Sequence, residues 1–337
     1  MNNEIIKNRS LFEWLIIERL RQFRSLIWYI LPEKLKNIIY EYYSNKKTAR
    51  ELNIFLNNFV SETDVEDAFK KLNINGDVLV HSSLVDIGNI DKKHRTIVKC
   101  LSNKVIDNNR TILAIAIPVK GSSKDYLKRI TSFDKNAPIA MGKLSKYYAS
   151  LPDACRSLNP THSVVAIGTS AKYYTSNHHL DSTPFDKNSP FRRLVEQDGN
   201  VLMVGAGLNH LTLIHLLEDI MGEDFPFKVY SKNKYNVDIY FDDGTIYHGQ
   251  YYAHNKLMGA LRVPQYINSK ILALPSTQVV PLGAGNIINL RARDVLKCLL
   301  KELYAGNTIY GHCYVSRRCK NRVKQNLIWL ENLGNEI

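Results

Sequence analysis

The 337-residue chain has few cysteines, and their spacing shows no pattern. Their number is odd and they are scattered, at Cys100, Cys155, Cys298, Cys313 and Cys319. A disulfide framework is therefore not expected, and with no signal-peptide pattern ahead of them we expect a protein of the reducing cytoplasm. His312, Cys313 and Cys319 come nearest to a metal motif, but no second pair lies at ligand spacing, so we expect no metal.

Long apolar runs are also absent, because Arg19, Arg21 and Arg24 interrupt the most apolar stretch well short of the roughly 20 residues that span a bilayer. Apolar residues recur there at helical spacing, from Phe12 to Ile30. We interpret residues 1–60 as an amphipathic helical extension that packs on the main domain or on a second subunit in a homodimer. Peripheral contact with the inner face of an anionic membrane is the alternative.

Acidic residues are outnumbered, 32 against 45 Lys and Arg, and the net charge is +13. Nucleic-acid binding proteins cluster their basic residues among aromatic ones, whereas here the basic residues are dispersed. A nucleic-acid partner is therefore not expected, and anionic small molecules fit the charge better.

From residue 61 onward the pattern is α/β. Ser61 and Asp64 are placed as a helix cap, short apolar strands alternate with helices through "NVLMVGAGL", and a β-hairpin is expected around Asp242-Asp243-Gly244. We predict one domain over 61–337 of mixed α/β (α+β) class. It would have a central mixed sheet flanked by helices and a smaller β-rich subdomain.

Three segments place polar residues beside strand ends, where open α/β sheets collect ligands. The first two are His81-Ser82-Ser83 and the Thr161-His162 pair. The third follows Gly205-Ala206-Gly207 and puts Thr212, His215 and Glu218 at three-residue steps on one predicted helix, Leu211 to Ile220. Taken alone, the His81 segment also reads as an ordinary strand-to-turn junction, and a lone histidine such as His162 is more often structural. The third segment reads equally well as a helix with a solvent-facing polar side.

Their order along the chain resembles the aminoglycoside 3-N-acetyltransferase family, which depends on coenzyme A and differs in fold from the GNAT acetyltransferases. The resemblance covers about residues 61–310. The segments that carry it are "DVLVHSSLVDIG", "NAPIAMGKLSKYY", "PTHSVVAIG" and "HHLDSTPFDKNSPFRRLVEQDGNVLMVGAGLNHLTLIHLLED".

This resemblance implies direct acetyl transfer from acetyl-CoA to a sugar amine. His162 is similar to the family's catalytic histidine and would be the general base, with Glu218 orienting its imidazole and Thr212 near the oxyanion. Coenzyme A would meet one set of residues and the acceptor another. The coenzyme set is His81, Ser82, Ser83, Met141 and Gly142, and the acceptor set is His178, Asn209 and His215.

The chain departs from the family where it reads "NIDKKHRT" in place of a Gly-Gly pair, so Lys92, Lys93 or Arg95 would supply charge for a phosphate. Because two anionic ligands suit a charge of +13 better than a polycation does, we expect the acceptor to be a nucleotide-linked amino sugar of surface polysaccharide (O-antigen or capsule) biosynthesis. Aminoglycoside acetylation conferring antibiotic resistance is the alternative. A non-catalytic scaffold of the same fold is a further reading.

Overall fold

The computed structural model describes residues 11–92, 94–140 and 142–335. The helices are α1 Leu11–Ile30, α2 Glu33–Asn57, α3 Glu62–Lys70, α4 His94–Val105, α5 Ser123–Leu127, α6 Lys143–Ala149, α7 Ala171–Thr175, α8 Pro190–Glu196, α9 Leu216–Met221, α10 Lys256–Ala260, α11 Gln265–Leu272, α12 Ala292–Tyr304 and α13 Arg317–Asn335. The strands are β1 Phe59–Val60, β2 Val78–Ser82, β3 Asn89–Ile90, β4 Thr111–Ile115, β5 Ser132–Phe133, β6 Cys155–Arg156, β7 Val164–Gly168, β8 Asn200–Val204, β9 Tyr230–Tyr240, β10 Ile246–His254, β11 Gln278–Leu282, β12 Gly285–Arg291, β13 Asn307–Thr308 and β14 Gly311–His312.

A seven-stranded sheet in the order β11-β12-β8-β2-β4-β7-β6 forms the centre of the molecule. The middle strands β8, β2 and β4 run parallel, while β12 and β7 pair antiparallel to this trio on either side. The predicted central mixed sheet is therefore confirmed. Three parallel strands side by side need cover on both faces, which the helices provide.

The two faces of the sheet bury separate cores because successive side chains of a strand point to opposite sides. In β2, Leu79 joins the cluster packed under α8 and α12, whereas Val78 and Val80 join the cluster under α3 and α4. All three are buried. The continuous apolar run "VLV" thus fills both cores, as a strand buried on both faces requires.

The predicted β-rich subdomain is a second sheet in which β9 and β10 form a hairpin and β5 adds in parallel to β9. Its turn contains Gly244 at φ +84°, in the expected Asp-Asp-Gly segment. A small core of its own includes Phe133, Val237 and Tyr251. The hairpin ends at His254, which it delivers toward the central sheet.

Residues 11–57 form two long helices that contact the rest of the chain along one side. In α1, the Gln22 side chain donates to the backbone oxygens of Tyr310 (2.7 Å) and Leu261 (3.4 Å). After α2, Asn58 accepts a hydrogen bond from the Asn89 N–H at 2.8 Å. Among the described residues, no helix combines the length and apolarity needed to cross a membrane. The expected domain boundary near residue 60 stays a prediction.

The predicted cap at Ser61 is present. Its hydroxyl accepts from the Asp64 N–H at 3.1 Å, and the Asp64 carboxylate accepts from the Ser61 N–H at 2.9 Å, so aspartate takes the place that Glu or Gln usually has in a capping box. This cap fixes the first turn of α3 against the sheet.

One glycine holds the strand-to-helix turn on which the candidate site depends. Gly205 follows β8 with φ +70°, and a Cβ there would lie 2.3 Å from the Ser83 backbone oxygen. The turns after β2 and β8 therefore touch through their backbones.

Gly205→Ala should lower the free energy of unfolding by roughly 2–4 kcal/mol, because the new methyl group meets backbone and the left-handed φ is strained. Gly207→Ala is the matched control two residues away, since nothing lies within 4 Å of its Cβ and its φ is negative. Urea unfolding of both variants measures the difference, and equal stabilities would contradict the close approach.

Candidate active site

The three predicted segments meet at one edge of the central sheet. β2 and β8 are parallel and in register, with Ser82 opposite Val204, so the turns that follow them are neighbours. β7 is antiparallel to β4 and begins with Val164 opposite Ile115, so His162 precedes it at that same edge. All three segments therefore lie at one edge of the sheet, and this edge is the candidate site.

The predicted helix over Leu211 to Ile220 is wrong in its first half. Residues Thr212–His215 form a 3₁₀ turn, and the α-helix begins only at Leu216. His215 ends this turn and is the N-cap residue of α9, and its Nδ1 atom lies 2.9 Å from Glu218 in the first turn of that helix. The result places His215 close to Glu218 and turns Thr212 toward β2.

Glu218 is the polar centre of the site. Its side chain is about 1% exposed, and its two oxygens face three donor groups. One oxygen lies 2.9 Å from His215 Nδ1 and 2.7 Å from the Tyr310 hydroxyl, and the other lies 3.3 Å from His254 Nε2. An ionised carboxylate buried this deeply persists only when such donors surround it.

The sequence-based pairing of Glu218 with His162 is wrong in this geometry. Among the described residues, Glu218 hydrogen-bonds two other histidines, and the Nδ1 atom of His162 lies 3.0 Å from the Thr161 hydroxyl instead. The His162 ring stacks at a tilt on Phe185, 5.1 Å away, and lies 5.6 Å from the His254 ring. His162 is therefore at the site without a carboxylate of its own.

The carboxylate fixes the protonation of the two histidines that it contacts. Because Glu218 only accepts hydrogen bonds when ionised, His215 carries its proton on Nδ1 and His254 carries one on Nε2. Burial raises the pKa of Glu218, but the neighbouring histidines outweigh that effect and hold the carboxyl ionised. Burial also lowers the pKa of His215 to about 4, with Glu218 opposing the shift. His215 is thus neutral near pH 7, with a lone pair on Nε2.

His162 and His215 differ in the charged groups around them, and therefore in how readily each ring accepts a proton. Burial lowers the pKa of His162 well below its usual range, and positive neighbours, including Arg262, lower it further. No carboxylate opposes that shift at His162, whereas Glu218 stabilises the protonated form of His215. Of the two, His215 is the better proton acceptor.

Sequence reasoning missed three residues of the site, namely His254, Tyr310 and Arg262. His254 ends β10, Tyr310 lies in the turn between β13 and β14, and Arg262 lies between α10 and α11. A hydrogen bond from the Val263 N–H to the Ile309 oxygen at 2.7 Å joins the segments of Arg262 and Tyr310, and Glu218 links His254 to Tyr310. None of the three belongs to a sequence motif, so only the tertiary fold reveals them.

A metal could in principle use the same ligands. One atom each from His215, Glu218 and His254 lie within 4.8 Å of one another. In the observed arrangement, however, both histidines point N–H groups at the carboxylate, and the distances are those of hydrogen bonds. The absence of a metal stays a prediction.

Thr212 and His81 lie together across the two turns. The Thr212 hydroxyl is 3.3 Å from His81 Nε2. Burial lowers the pKa of His81 to about 3, and His210 adds to the shift. A neutral His81 can accept from the Thr212 hydroxyl, so both belong to the inner lining of the site.

The predicted coenzyme-binding residues are only partly brought together. Ser82 lies next to Gly142, since a Cβ on Gly142 would be 3.6 Å from the Ser82 hydroxyl oxygen. Ser83 has both donors occupied, its N–H by the Val204 oxygen and its hydroxyl by Asp86, which corrects the expectation that it offers them to an anion. Met141 lies outside the described residues.

The expected phosphate charges also differ from the prediction. Lys92 donates to Glu62 and is therefore engaged within the protein. Lys93 lies outside the described residues. Arg95 is the second residue of α4, and the prediction that it meets a phosphate stays a prediction.

Two predicted acceptor-binding residues are placed differently from His215. His178 is fully buried, with Nδ1 2.9 Å from the Ser157 hydroxyl and Nε2 3.0 Å from the Pro184 oxygen, so the prediction that it contacts substrate is wrong in this structure. Asn209 is exposed at the rim, where its oxygen accepts from Asn268 at 2.9 Å.

Buried neutral histidines make stability depend on pH. Burial lowers the pKa of His178 to about 3, below the value near 6.5 that it has when unfolded. The unfolded chain thus binds the extra proton, and the free energy of unfolding falls as pH drops below about 6.5, by up to about 1.4 kcal/mol per pH unit for one histidine.

In His178→Gln that contribution disappears, so the decline in stability from about pH 6.5 to about pH 5 should be shallower than in the wild type. His248→Gln is the control, because His248 is 81% exposed. Urea unfolding across this range tests the prediction, and identical slopes in all three proteins would exclude it.

The architecture matches solved acetyltransferases. The structure described as aminoglycoside acetyltransferase AAC(3)-Xa aligns with a TM-score of 0.60 at 21% identity, covering 74% of this chain and 95% of that one. The structure described as AAC-IIIb binary with CoASH aligns with a TM-score of 0.59 at 22% identity, covering 73% and 97%. The chain therefore has the fold of the aminoglycoside acetyltransferases.

Sequence comparison assigns the family. The aminoglycoside 3-N-acetyltransferase profile matches residues 79–302, more than half of the chain, so the chain belongs to this family. Aminoglycoside N(3)-acetyltransferase III of Acinetobacter baumannii is 30% identical over 179 residues, which is 49% of this chain and 61% of that protein. Aminoglycoside N(3)-acetyltransferase VII of Streptomyces paromomycinus is 39% identical over 87 residues, 25% and 30% of the two chains. The match thus spans less than two thirds of these relatives.

These findings correct the expected acceptor. The family and the curated relatives are named for aminoglycosides, and none of them points to a nucleotide-linked sugar or to polysaccharide biosynthesis. The physical reason for the error lies in where the charge sits. Residues 1–60 hold ten Lys and Arg against six acidic residues, and α13 holds five against one. Net charge therefore says little about the site.

Proposed function

We propose that this chain transfers the acetyl group of acetyl-CoA to an amino group of an aminoglycoside. The proposal depends on one observation, the hydrogen bond between His215 Nδ1 and the buried Glu218 carboxylate. This pair lies at the edge of the sheet where ligands bind in open α/β folds, within the stretch that matches the family. Such a pair activates a neutral imidazole as a base and stabilises the imidazolium that follows.

His215, rather than His162, acts as the general base in this proposal. The acceptor nitrogen attacks the thioester carbonyl carbon, and the Nε2 atom of His215 removes the proton that the nitrogen loses. The carbon–sulfur bond then breaks, the thiolate leaves, and the proton returns to sulfur to give an amide and free coenzyme A. Both substrates are bound at once, so no cysteine is required.

Thr212 is proposed as a hydrogen-bond donor to the oxyanion that forms on the thioester carbonyl. Its hydroxyl lies at the inner end of the site beside neutral His81. A donor placed before the reaction stabilises developing charge without reorganisation. His162 would line the pocket through its ring, between Phe185 and His254.

Acetyl-CoA is proposed to enter along the side of the site where Ser82 and Gly142 are neighbours. One structure of similar fold is described as a binary complex with CoASH, which supports a coenzyme site in this architecture. His81 would line the inner end of this channel, whereas Ser83 stabilises the turn through Asp86.

The aminoglycoside acceptor is supported by the names of the curated relatives. Asn209, at the rim next to α11, is proposed to contact the acceptor together with His215. We also keep three finer expectations as proposals: a cytoplasmic protein, a homodimer, and peripheral contact of residues 1–60 with an anionic membrane. The exposed apolar side chains of α1 and α2 support some partner there.

His215→Ala should lower kcat by roughly 10²–10⁴-fold, because the attacking amine loses its base. His162→Ala is the matched comparison, since it removes a ring from the same cluster without removing the carboxylate-bound base. Thiol release from acetyl-CoA, measured with a panel of aminoglycosides, gives kcat for both variants.

A larger loss of kcat in His162→Ala than in His215→Ala would return the base to His162. An absence of thiol release with every aminoglycoside in the wild-type protein would overturn the proposed reaction itself.

A further inference from the structure

Helix α2 is long, and none of its side chains is buried in the core of the domain. It spans 25 residues, and every residue from Glu41 to Arg50 is exposed. An isolated helix of this kind gains little from intrinsic propensity and is normally stabilised by packing of its apolar face. Four of its residues, Lys36, Ile39, Glu51 and Ile54, are partly buried, so the rest of the described chain packs on this helix only in part.

Five of the eight large exposed apolar residues of α2 lie on a heptad repeat, and Tyr40, Tyr43 and Phe55 lie beside it. The repeat has alternating steps of three and four residues, the spacing of a coiled-coil a/d seam. We define the α2 seam as Leu35, Ile38, Tyr42, Asn45, Ala49, Leu52 and Leu56. Its five large apolar members are between 46% and 69% exposed.

The seam lies away from the surface that α2 already uses. Glu51 and Ile54 are partly buried against the domain, and Arg50 pairs with Asp86 at 3.4 Å. At 100° per residue, Ile54 lies about 160° from both Leu52 and Leu56, so the seam faces outward. Ile39, at an e position beside the seam, is partly buried, but the large apolar seam residues are 46–69% exposed, so intramolecular packing leaves most of the seam uncovered.

The charges beside the α2 seam fit a second copy in parallel orientation. With Leu35 at an a position, Glu41 is at g and Lys46 is at e of the next heptad. In a parallel two-stranded coil these positions face each other between chains, so Glu41 of each copy meets Lys46 of the other. Neither residue makes an ion pair among the described residues, and both are exposed.

The same test excludes α1 as the pairing element. Its exposed stripe, which includes Leu20 and Phe23, also has heptad spacing. The flanking g and e positions, however, are Arg19 and Arg24, which would repel each other between parallel copies.

The length of the seam is also sufficient for a coiled coil. A helix of 25 residues is roughly 37 Å long, and the seam from Leu35 to Leu56 covers just over three heptads, the length over which such a repeat indicates a coiled coil. From these observations we propose that two copies of this chain dimerise through a parallel, in-register coiled coil of α2. Asn45 lies in the seam, where a polar residue favours one register.

Charge reversal tests the proposal on the full chain. Glu41→Lys and Lys46→Glu each place like charges opposite each other twice, so each should weaken self-association by about tenfold or more. A mixture of the two single variants should form heterodimers, because every facing pair is then complementary. Lys47→Glu is the control, since it makes the same charge change at an f position that faces away from the seam.

Sedimentation equilibrium over a range of concentrations gives the masses and dissociation constants. A wild-type chain that stays monomeric, or a dimer equally tight in Glu41→Lys, Lys46→Glu and Lys47→Glu, would overturn the proposal. Circular dichroism checks that each variant keeps its helix content.

Cross-linking tests the register separately. In Asn45→Cys the two new thiols face each other across an in-register parallel coil, within disulfide reach, whereas those of Lys47→Cys do not. Oxidation should therefore link Asn45→Cys chains covalently and leave Lys47→Cys at the wild-type background. Equal cross-linking of both variants would contradict the parallel register.

Vesicles of phosphatidylglycerol and phosphatidylcholine test the rival occupant. A monomeric wild-type chain that sediments with anionic vesicles in a salt-sensitive way would assign the exposed helices to a membrane surface and overturn the dimer. Thiol release with aminoglycosides is measured in the same preparations, so a failed dimer and a failed acetyltransfer reaction give different results.

Discussion

A single buried carboxylate organises the candidate site. Because Glu218 is buried, an ionised carboxylate without hydrogen-bond donors would have a large desolvation free energy there. The fold therefore brings donors to it from several parts of the chain. Those donors come from a 3₁₀ turn, the end of a β-hairpin and a turn near the C-terminus: His215, His254 and Tyr310. The same contacts set the tautomers of both histidines. The hydrogen bonds to Glu218 thus fix the orientation of the two histidines, their protonation and the packing of three chain segments at the same time.

The carboxylate also explains why the β-rich subdomain contributes to the candidate site. The hairpin of β9 and β10 has its own small core, yet its last residue reaches Glu218. The next acidic residue along, Asp219, accepts from the Tyr230 hydroxyl in the same hairpin and from the Phe185 N–H at 2.8 Å. Two adjacent carboxylates of α9 therefore join the hairpin to that helix.

Much of the fold was predictable because strands and turns have local signatures. The buried run after Gly76, the hairpin around Gly244 and the cap at Ser61 all appear as expected. The meeting of three segments at one sheet edge was also predictable from strand order. The contact of Glu218 with His254, in place of the expected His162, was not predictable, because His254 is brought in from 36 residues further along the chain.

The acceptor was mispredicted for a different reason. Net charge sums over surfaces that do not see the ligand, and the basic excess here lies largely in residues 1–60 and α13. The buried site instead combines one ionised carboxylate, several neutral histidines and Arg262. Family membership, carried by residues spread along the sheet, was the stronger guide.

Tyr310 lies outside the family-matched stretch of 79–302, and so does Gln22, which binds its backbone oxygen. A protein cut to the family boundaries would retain the histidine–carboxylate pair but lose the hydroxyl that shares the carboxylate. It would also lose the helix that holds that turn in place. The stretch that matches the family is therefore shorter than the stretch that completes the site. Truncated or fused versions of the protein should keep the longer stretch, including Gln22 and Tyr310.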